Sequence, residues 1–267
     1  MLIPLEPPIP ARSGYGETLS QPRLYGELAY LWPIISPPGE YLEEAEVWRQ
    51  AIRDKLGQGR HRVLELGVGG GHNLSHLTGD FQATAVDLSP QMLDLSRMLN
   101  PGVEHQLGDM RTLRLGETFD AVLIHDAITY MLTEHDLAAT FETAKSHIRA
   151  GGLLIAAPDW VRENFRAPMV FHWERNGVIN GSDIQVTVQE YLHDPDTSDT
   201  EIESVYTYTI VEDGQQRVEQ DTHTTGLFPM ATWTRLLREA GFQVETVQLP
   251  ANEGGYGGFI FVAELGK

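Results

Sequence analysis

A cluster of glycines follows an apolar run in the segment VLELGVGGGH, which starts at Val63. Glycine adopts positive φ angles and lets a ligand come close to the backbone, so this segment indicates a cofactor-binding loop. A dinucleotide-binding loop has the spacing G-x-G-x-x-G. Counted from Gly67, the last glycine of that pattern would fall on His72. The spacing that the sequence does contain is Gly67-x-Gly69-x-Gly71.

A carboxylate at the end of the next predicted strand strengthens this interpretation. Asp87 in TAVDLS lies about 20 residues past the loop, where a carboxylate can bind both hydroxyls of a ribose. Met92 on the following helix is placed to cover an adenine face. Asp109 in LGDMRTL can accept from the adenine amino group, and the amide of Met110 can donate to the ring. These features in order predict a cofactor that contains adenosine.

Several segments, taken in order, resemble the successive motifs of class I S-adenosylmethionine-dependent methyltransferases. They are VLELGVGGG, AVDLSPQML, GDM, FDAVLIHDAITYM, RAGGLLIAAPD and LFPMATWTRLLREAGF, and the resemblance covers roughly residues 25–265. The resemblance implies an α/β fold, a Rossmann-like seven-stranded mostly parallel sheet with an antiparallel last strand, and S-adenosyl-L-methionine as cofactor. It also implies that the cofactor is bound by Glu65, Gly67, Gly69, Gly71, Asp87, Leu88, Met92, Asp109, Met110 and His125.

One subgroup of that family fits the N-terminal region. Tyr30 and Tyr41, which precede the helix EYLEEAEVW, resemble the N-terminal tyrosines of aminosugar N,N-dimethyltransferases. The resemblance implies that both tyrosines belong to the cofactor site, that Tyr30 lies near the transferred methyl group, and that a β insertion follows the fifth strand. Tyr130 stands where that subgroup has a histidine, which leaves the identity of the acceptor open.

Methyl transfer from a sulfonium is an in-line displacement with an excellent leaving group. Alignment of the reactants alone contributes about 7–11 kcal/mol of barrier lowering. A general base is needed only if the nucleophile arrives protonated. The candidate catalytic residues are His125, His172 and His223 as bases, with Tyr30 and Tyr130 positioning the acceptor. The sequence predicts no bound metal, because its histidines do not combine with carboxylates at the spacing of a zinc site.

Alternating strands and helices must position these residues. The predicted strands Arg62–Leu66, Ala83–Asp87, Phe119–His125 and Leu153–Ala157 are separated by helical patterns, which favours a parallel sheet. The region after them breaks that rhythm. Antiparallel strands are predicted there at Gln185–Leu192, Glu201–Val211 and Arg217–Gly226.

The chain is therefore expected to divide into three parts. The N-terminal arm and helices that cover the cofactor site take residues 1–57. The Rossmann-like domain takes 58–157 and 229–267, and an antiparallel β insertion that caps the substrate takes 158–228.

Composition excludes several classes of protein. The 267 residues contain 19 basic and 38 acidic side chains, and a net charge of −19 disfavours nucleic acid as a partner. The absence of cysteine excludes disulfides and a thiolate nucleophile. No apolar run approaches the roughly 20 residues of a membrane span, and the segment MLIPLEPPIP lacks the features of a secretion signal. We therefore expect a cytoplasmic protein with a small-molecule acceptor and no membrane partner, and leave a homodimer open.

Two other functions remain compatible with these patterns. A nucleotide-dependent oxidoreductase would use the same glycine loop and Asp87, and a non-catalytic cofactor-binding module would use the acidic insertion. Residues 183–221 contain eleven acidic residues and one arginine, Arg217. Such a surface either attracts a cationic acceptor or is the solvated face of a sheet.

Overall fold

The computed structural model of the chain describes residues 21–251 and 257–266. Its helices are α1 (Trp32–Ile35), α2 (Leu42–Leu56), α3 (His72–Ser75), α4 (Pro90–Leu99), α5 (Glu134–Ser146) and α6 (Met230–Glu239). Its strands are β1 (Arg62–Leu66), β2 (Gln82–Asp87), β3 (Glu104–Leu107), β4 (Phe119–Ile124), β5 (Ile148–Ala156), β6 (Met169–Ile179), β7 (Ser182–His193), β8 (Glu201–Glu212), β9 (Gln215–Gly226), β10 (Phe242–Ala251) and β11 (Gly257–Leu265). Short 3₁₀ turns lie at Arg23–Tyr25, Ala29–Leu31, Pro38–Tyr41 and Asp126–Tyr130.

Seven strands form one sheet in the order β10-β11-β5-β4-β1-β2-β3. The pairs between β3, β2, β1, β4 and β5 are parallel. The last strand, β11, is antiparallel to both of its neighbours. The Rossmann-like sheet expected from the sequence is thus confirmed, and its parallel strands end at one edge.

Helices cover both faces of this sheet. The apolar stripe of α2, formed by Ala45, Trp48 and Ile52, packs against one face together with Val63 of β1. On the other face, α5 and α6 pack over β4 and β5, with Trp233 of α6 fully buried. Burial of these stripes is the main favourable term that fixes the helices on the sheet.

Two helix starts follow the capping signals in the sequence. The hydroxyl of Ser89 accepts a hydrogen bond from the backbone N–H of Met92 at 3.1 Å, at the start of α4. The hydroxyl of Thr133 accepts one from the N–H of Asp136 at 3.1 Å, at the start of α5. These bonds satisfy donors that the first helical turn would otherwise leave unpaired, so both helices begin where the side chains predict.

The insertion is a separate antiparallel sheet in the order β6-β7-β8-β9. Asp213 and Gly214 form the predicted turn between β8 and β9, with φ angles of 48° and 81°. The sequence predicts three strands here, whereas the structure has four. The additional strand, β6, is an edge strand whose inward residues are mostly only half buried, so its sequence MVFHWERNGVI carries little hydrophobic alternation.

The N-terminal segment packs against the insertion. Leu24, Leu31 and Ile35 lie in one buried cluster with Val186 of β7 and Tyr208 of β8. This cluster places the segment between the insertion sheet and the end of the main sheet. The first 20 residues of the predicted arm lie outside the described residues. Within the described part of the chain, no helix is long and apolar enough to cross a membrane.

Candidate active site

A cavity of about 1250 Å³ opens at the edge where the parallel strands end. The loop after β1, the end of β2 and the turn after β4 form its floor. The N-terminal segment contributes Tyr25 and Trp32, and the insertion contributes residues of β8 and β9, among them Glu203 and Thr224. Ligands of open α/β sheets bind at this edge, so the cavity is the expected binding site.

The glycines of the loop after β1 are required by its geometry. Gly67, Gly69 and Gly71 have φ angles of +75°, +55° and +75°. A Cβ atom on Gly67 would lie 2.4 Å from the Cβ of Ala127 and 2.8 Å from the Cε of Met110. The loop therefore turns sharply against its neighbours and leaves its outer side open to the cavity.

Asp87 lies beside this loop at the end of β2. Its carboxylate accepts hydrogen bonds from the backbone N–H of Gly69 at 2.7 Å and of Ser89 at 2.8 Å. Burial raises the pKa of Asp87, although these amide groups oppose the shift. A carboxylate can accept about four hydrogen bonds, so Asp87 retains the capacity to accept two hydroxyls of a ribose.

The residues expected around an adenine ring also line the cavity. Leu88 is 58% exposed at the rim, whereas Met92 is buried beneath the loop. Asp109 forms an ion pair with Arg111 at 2.7 Å, which holds the pKa of Asp109 below its usual range. Met110 packs close to Gly67. A ring bound here would meet an Asp109 carboxylate that is already paired.

Several buried polar atoms of the cavity wall have no hydrogen-bond partner within the described residues. They are Oε2 of Glu65, both amide atoms of Asn73 and Nε1 of Trp32. Burial raises the pKa of Glu65 to about 8. Unpaired buried polar groups cost free energy, so their concentration here indicates a polar ligand. A carboxylate acceptor beside N–H donors fits the ammonium and carboxylate groups of an amino acid.

His125 directly follows β4, one residue past the end of the strand, and both of its ring nitrogens are engaged. Nε2 lies 2.8 Å from a carboxylate oxygen of Glu44, and Nδ1 lies 3.0 Å from one of Asp126. Burial alone would lower the pKa of His125, but the two carboxylates outweigh burial and raise it well above its ordinary value. An imidazolium held in this way cannot accept a proton, so His125 is not suited to act as a general base.

Of the two N-terminal tyrosines, Tyr41 lies where it was expected and Tyr30 does not. Tyr41 lines the cavity, and its hydroxyl is 2.7 Å from that of Ser36. Tyr30 is not among the described residues that line the cavity, and its hydroxyl instead accepts a hydrogen bond from Arg217. Tyr25 occupies the cavity wall in its place. The N-terminal segment therefore delivers a tyrosine to the site, but five residues earlier than the sequence suggested.

The remaining catalytic candidates separate into two groups. Tyr130 lines the cavity, and its hydroxyl lies 2.9 Å from that of Tyr25 and 2.8 Å from Nδ1 of His223. His172 lies on the exposed side of β6 and is not part of the described lining. The structure thus brings Tyr130 and His223 to the site and leaves His172 on the surface of the insertion.

Comparisons with known proteins agree with this geometry. A family model described as "Methyltransferase domain" matches residues 63–152. The chain is 27% identical over 213 residues to a dTDP-3-amino-3,4,6-trideoxy-alpha-D-glucopyranose N,N-dimethyltransferase of Streptomyces venezuelae, covering 78% of this chain and 86% of the relative. It is 27% identical over 238 residues to a dTDP-3-amino-3,6-dideoxy-alpha-D-glucopyranose N,N-dimethyltransferase of Streptomyces fradiae, covering 88% and 90%.

A solved structure extends the similarity to the cofactor. The S-adenosylmethionine-bound amino pentose methyltransferase CalS10 of Micromonospora echinaspora superimposes with a TM-score of 0.71 at 25% identity, covering 94% of this chain and 99% of that one. The chain is a class I S-adenosylmethionine-dependent methyltransferase. This methyltransferase transfers the methyl group of S-adenosylmethionine to a small-molecule acceptor. The predicted family and cofactor are confirmed, and the oxidoreductase and non-catalytic alternatives are set aside.

Sequence reasoning missed several residues of this methyltransferase's cavity. Tyr25, Trp32 and Asn73 line it, and Glu44 binds His125. Asn73 follows the glycine loop directly, so its place at the start of α3 was a usable signal. Tyr25 and Trp32 gave no comparable signal, because their segment has short irregular turns and reaches the site only through contacts with distant strands.

Proposed function

We propose that this methyltransferase methylates an amino group of a small, sugar-like acceptor. The observation that carries the proposal is the charge of the cavity wall. Its described lining contains two cationic side chains, Arg111 and the imidazolium of His125, against the carboxylates of Asp87, Asp109, Asp126, Asp199, Glu201 and Glu203. Such a wall attracts a cation, and an amine is the cationic group that also becomes a nucleophile when it loses a proton. The relatives named above act on amino sugars, which supports the same acceptor group here.

Carboxylates concentrate near the turn after β4. Asp126 lines the cavity, and burial together with the charge of Asp126 raises the pKa of Asp159, which follows β5, well above its ordinary value. Burial alone would raise the pKa of Asp126, but the neighbouring His125 outweighs burial and keeps this carboxyl ionised. An anionic Asp126 at the cavity wall can orient an amino group by accepting its N–H bonds.

The chain's own residues contribute mainly alignment. The glycine loop, Asp87, Glu65 and Asn73 would hold S-adenosylmethionine, which supplies an activated methyl group when bound. Tyr25, Tyr130 and Asp126 would position the acceptor nitrogen in line with that group. Correct alignment contributes about 7–11 kcal/mol of barrier lowering, which is the larger part of what such a displacement needs from an enzyme.

Apart from the amino group that receives the methyl group, we propose that the acceptor is uncharged or cationic. Arg111 already pairs with Asp109 at 2.7 Å and with Asp136 at 3.3 Å. Asp199, Glu201 and Glu203 approach the cavity from the insertion. A diphosphate at this wall would meet repulsion that the paired Arg111 does little to offset.

Three acceptors test the proposal in one assay. They are the methyl glycoside of 3-amino-3,6-dideoxyglucose, its dTDP-linked form, and the glycoside with a 3-hydroxyl in place of the amine. Methylated product is quantified by mass spectrometry with S-adenosylmethionine in excess. We expect methylation of the amino glycoside, a lower kcat/KM for the dTDP form, and none of the hydroxyl analogue. Equal kcat/KM for amine and hydroxyl, or no methylation of either amine, would contradict amine transfer. A higher kcat/KM for the dTDP form would contradict only the charge assignment.

We further propose a cytoplasmic location, where S-adenosylmethionine is made, and an acceptor other than nucleic acid. A homodimer is our proposal for the assembled state. The edge strands of the insertion, β6 and β9, expose Val170, Val178 and Val218, which a second copy could cover. Light scattering after gel filtration measures the state directly, and a monomeric mass at micromolar concentration would contradict it.

A further inference from the structure

Four residues from three distant elements form a continuous hydrogen-bond chain beside the cavity. The hydroxyls of Tyr25 and Tyr130 are 2.9 Å apart. The Tyr130 hydroxyl is 2.8 Å from Nδ1 of His223 on β9, and Nε2 of His223 is 3.0 Å from the carboxylate of Asp221. His223 and Asp221 are only 4% and 7% exposed. The chain thus runs from the cavity wall to a buried imidazole and carboxylate.

The donor and acceptor of each hydrogen bond in this chain follow from the protonation of its buried end, Asp221. Burial alone would raise the pKa of Asp221, but His223 and the N–H of Leu24 outweigh burial and lower it. Asp221 is therefore a carboxylate and acts only as an acceptor, so Nε2 of His223 must carry the proton that faces it. In the tautomer that carries its one proton on Nε2, Nδ1 accepts from the Tyr130 hydroxyl, and the oxygen of Tyr130 accepts from Tyr25.

The tyrosines can relay a proton but cannot act as bases themselves. Burial raises the pKa values of Tyr25 and Tyr130 well above their ordinary range, so both remain hydroxyls. With its own proton directed to Tyr130, the hydroxyl of Tyr25 has an oxygen free to accept from a donor in the cavity. An amine N–H is such a donor.

We propose that the chain Tyr25–Tyr130–His223–Asp221 carries the proton that the acceptor amine loses, and that His223 is its recipient. The inference rests on the proposed amine transfer. The ammonium N–H passes its proton to the oxygen of Tyr25, Tyr25 passes its own to Tyr130, and Tyr130 passes its own to Nδ1 of His223. The freed nitrogen pair then forms the C–N bond as the C–S bond of the methyl donor breaks. Tyr25 is the group that touches the acceptor, and His223 and Asp221 act through it.

The surroundings of His223 suit an imidazole that gains a positive charge. Asp221 on its own strand and Glu190 on β7 are the acidic groups that face it. The rings of Tyr206 and Tyr25 lie 4.7 Å and 5.4 Å from its ring, and that of Tyr130 lies 6.1 Å away. A positive charge that arises on this ring during the transfer would have the Asp221 carboxylate, 3.0 Å from Nε2, as its counter-ion. His125 offers no such capacity, because it already holds its proton between Glu44 and Asp126.

Kinetics of Tyr130→Phe and His223→Gln test the relay through the pH profile. At neutral pH we expect kcat for the amino glycoside to fall about 10²-fold, in the range of a lost general base. The loss should shrink as pH rises, because the amine then loses its proton to water without help. His135→Gln, which changes an exposed histidine of α5, is the matched control. Melting temperature and S-adenosylmethionine affinity identify any variant that fails to fold, and Tyr25→Phe then takes its place.

A wild-type rate for Tyr130→Phe at neutral pH would overturn the relay, as would a loss of constant size at every pH. Either result would leave methyl transfer to the amine intact. Absence of product with the wild-type enzyme would instead contradict the proposed function.

A measurement that needs no methylated product tests the relay independently of the kinetics. Nitrogen-15 NMR of histidine-labelled enzyme, saturated with the demethylated cofactor product, reports which ring nitrogen of His223 carries hydrogen. We expect hydrogen on Nε2 and an Nδ1 resonance that moves in Tyr130→Phe, because the variant removes the hydroxyl donor. Hydrogen on Nδ1, or an Nδ1 resonance that Tyr130→Phe leaves in place, would overturn the relay.

Discussion

The backbone N–H of Gly69 donates a 2.7 Å hydrogen bond to the carboxylate of Asp87. This bond joins the loop after β1 to the last residue of β2. The group that would bind the ribose and the loop that would surround the amino-acid part of the cofactor are therefore fixed relative to each other. Asp87 consequently acts both on the ligand and on the conformation of the loop.

Asp87→Asn is expected to weaken S-adenosylmethionine binding about 10–100-fold. The amide loses the charge that strengthens each hydrogen bond to the ribose, and such bonds contribute about 1.5–3 kcal/mol each. Isothermal titration calorimetry measures the change. Asp94→Asn on the exposed side of α4 removes the same charge from the neighbouring helix and should bind like the wild type. Equal affinity of both variants would show that Asp87 does not contact the ligand.

Gly67→Ala should destabilise the fold and abolish the rise in melting temperature that the cofactor produces. The new Cβ would overlap the Cβ of Ala127, and alanine at φ +75° adds strain of about 1–3 kcal/mol. Gly79→Ala is the control, because its Cβ would meet no atom within 4 Å. Thermal unfolding with and without S-adenosylmethionine compares the two. A normal ligand-induced shift in Gly67→Ala would show that the loop yields more easily than its contacts indicate.

Cofactor binding is expected to release protons between about pH 6 and pH 8, with Glu65 as their source. Its pKa is about 8 in the ligand-free protein, so the carboxyl is mostly protonated at neutral pH. A cationic ligand favours the carboxylate, so binding expels the proton and affinity rises with pH until about 8. The folding stability of the ligand-free protein depends on pH in the opposite direction, because it falls as pH rises. The raised pKa stabilises the fold fully below the unfolded value of about 4.3, and this stability is lost as pH rises through 8.

Calorimetry in two buffers with different ionisation enthalpies counts the protons released. Glu65→Gln should abolish the release and weaken binding, while Asp94→Asn should release as many protons as the wild type. An unchanged proton count in Glu65→Gln would assign the proton to another group of the wall.

Single replacements of Tyr25 and Tyr30 test which of the two tyrosines acts in the site. Tyr25→Phe should lower kcat strongly, because its hydroxyl lies on the cavity wall beside Tyr130. Tyr30→Phe should lower stability by about 1 kcal/mol, the value of one hydrogen bond, and leave kcat near that of the wild type. Steady-state kinetics and urea unfolding of both variants measure this. A larger loss of kcat in Tyr30→Phe than in Tyr25→Phe would show that Tyr30, and not Tyr25, acts in the site.

The parts of the site that are local in sequence were predictable. The glycine loop, Asp87 and the N-terminal caps of α4 and α5 depend on residues within a few positions of each other, and their spacing alone indicates their geometry. The mostly parallel sheet followed from the alternation of strands and helices, since such strands are joined by right-handed crossovers. The carboxyl ends of β1 and β2 then had to lie side by side.

The parts that depend on distant contacts were not predictable. Asp221 binds the backbone of Leu24, which lies 197 residues earlier, and no periodicity links the two. The choice of Tyr25 over Tyr30 depends on how two short turns pack against the insertion. His125 stood in the expected place, but its charge depends on Glu44, whose role only the folded chain reveals.

The packing of Leu24, Leu31 and Ile35 on the insertion sheet also sets an order of events on the ribosome. This segment is synthesised before β7 and β8, whose side chains, among them that of Tyr208, cover it in the folded protein. Its apolar side chains therefore leave the exit tunnel without a partner. Exposed apolar surface makes a nascent chain prone to aggregation, so we expect this segment to need chaperone protection until β7 and β8 have been translated.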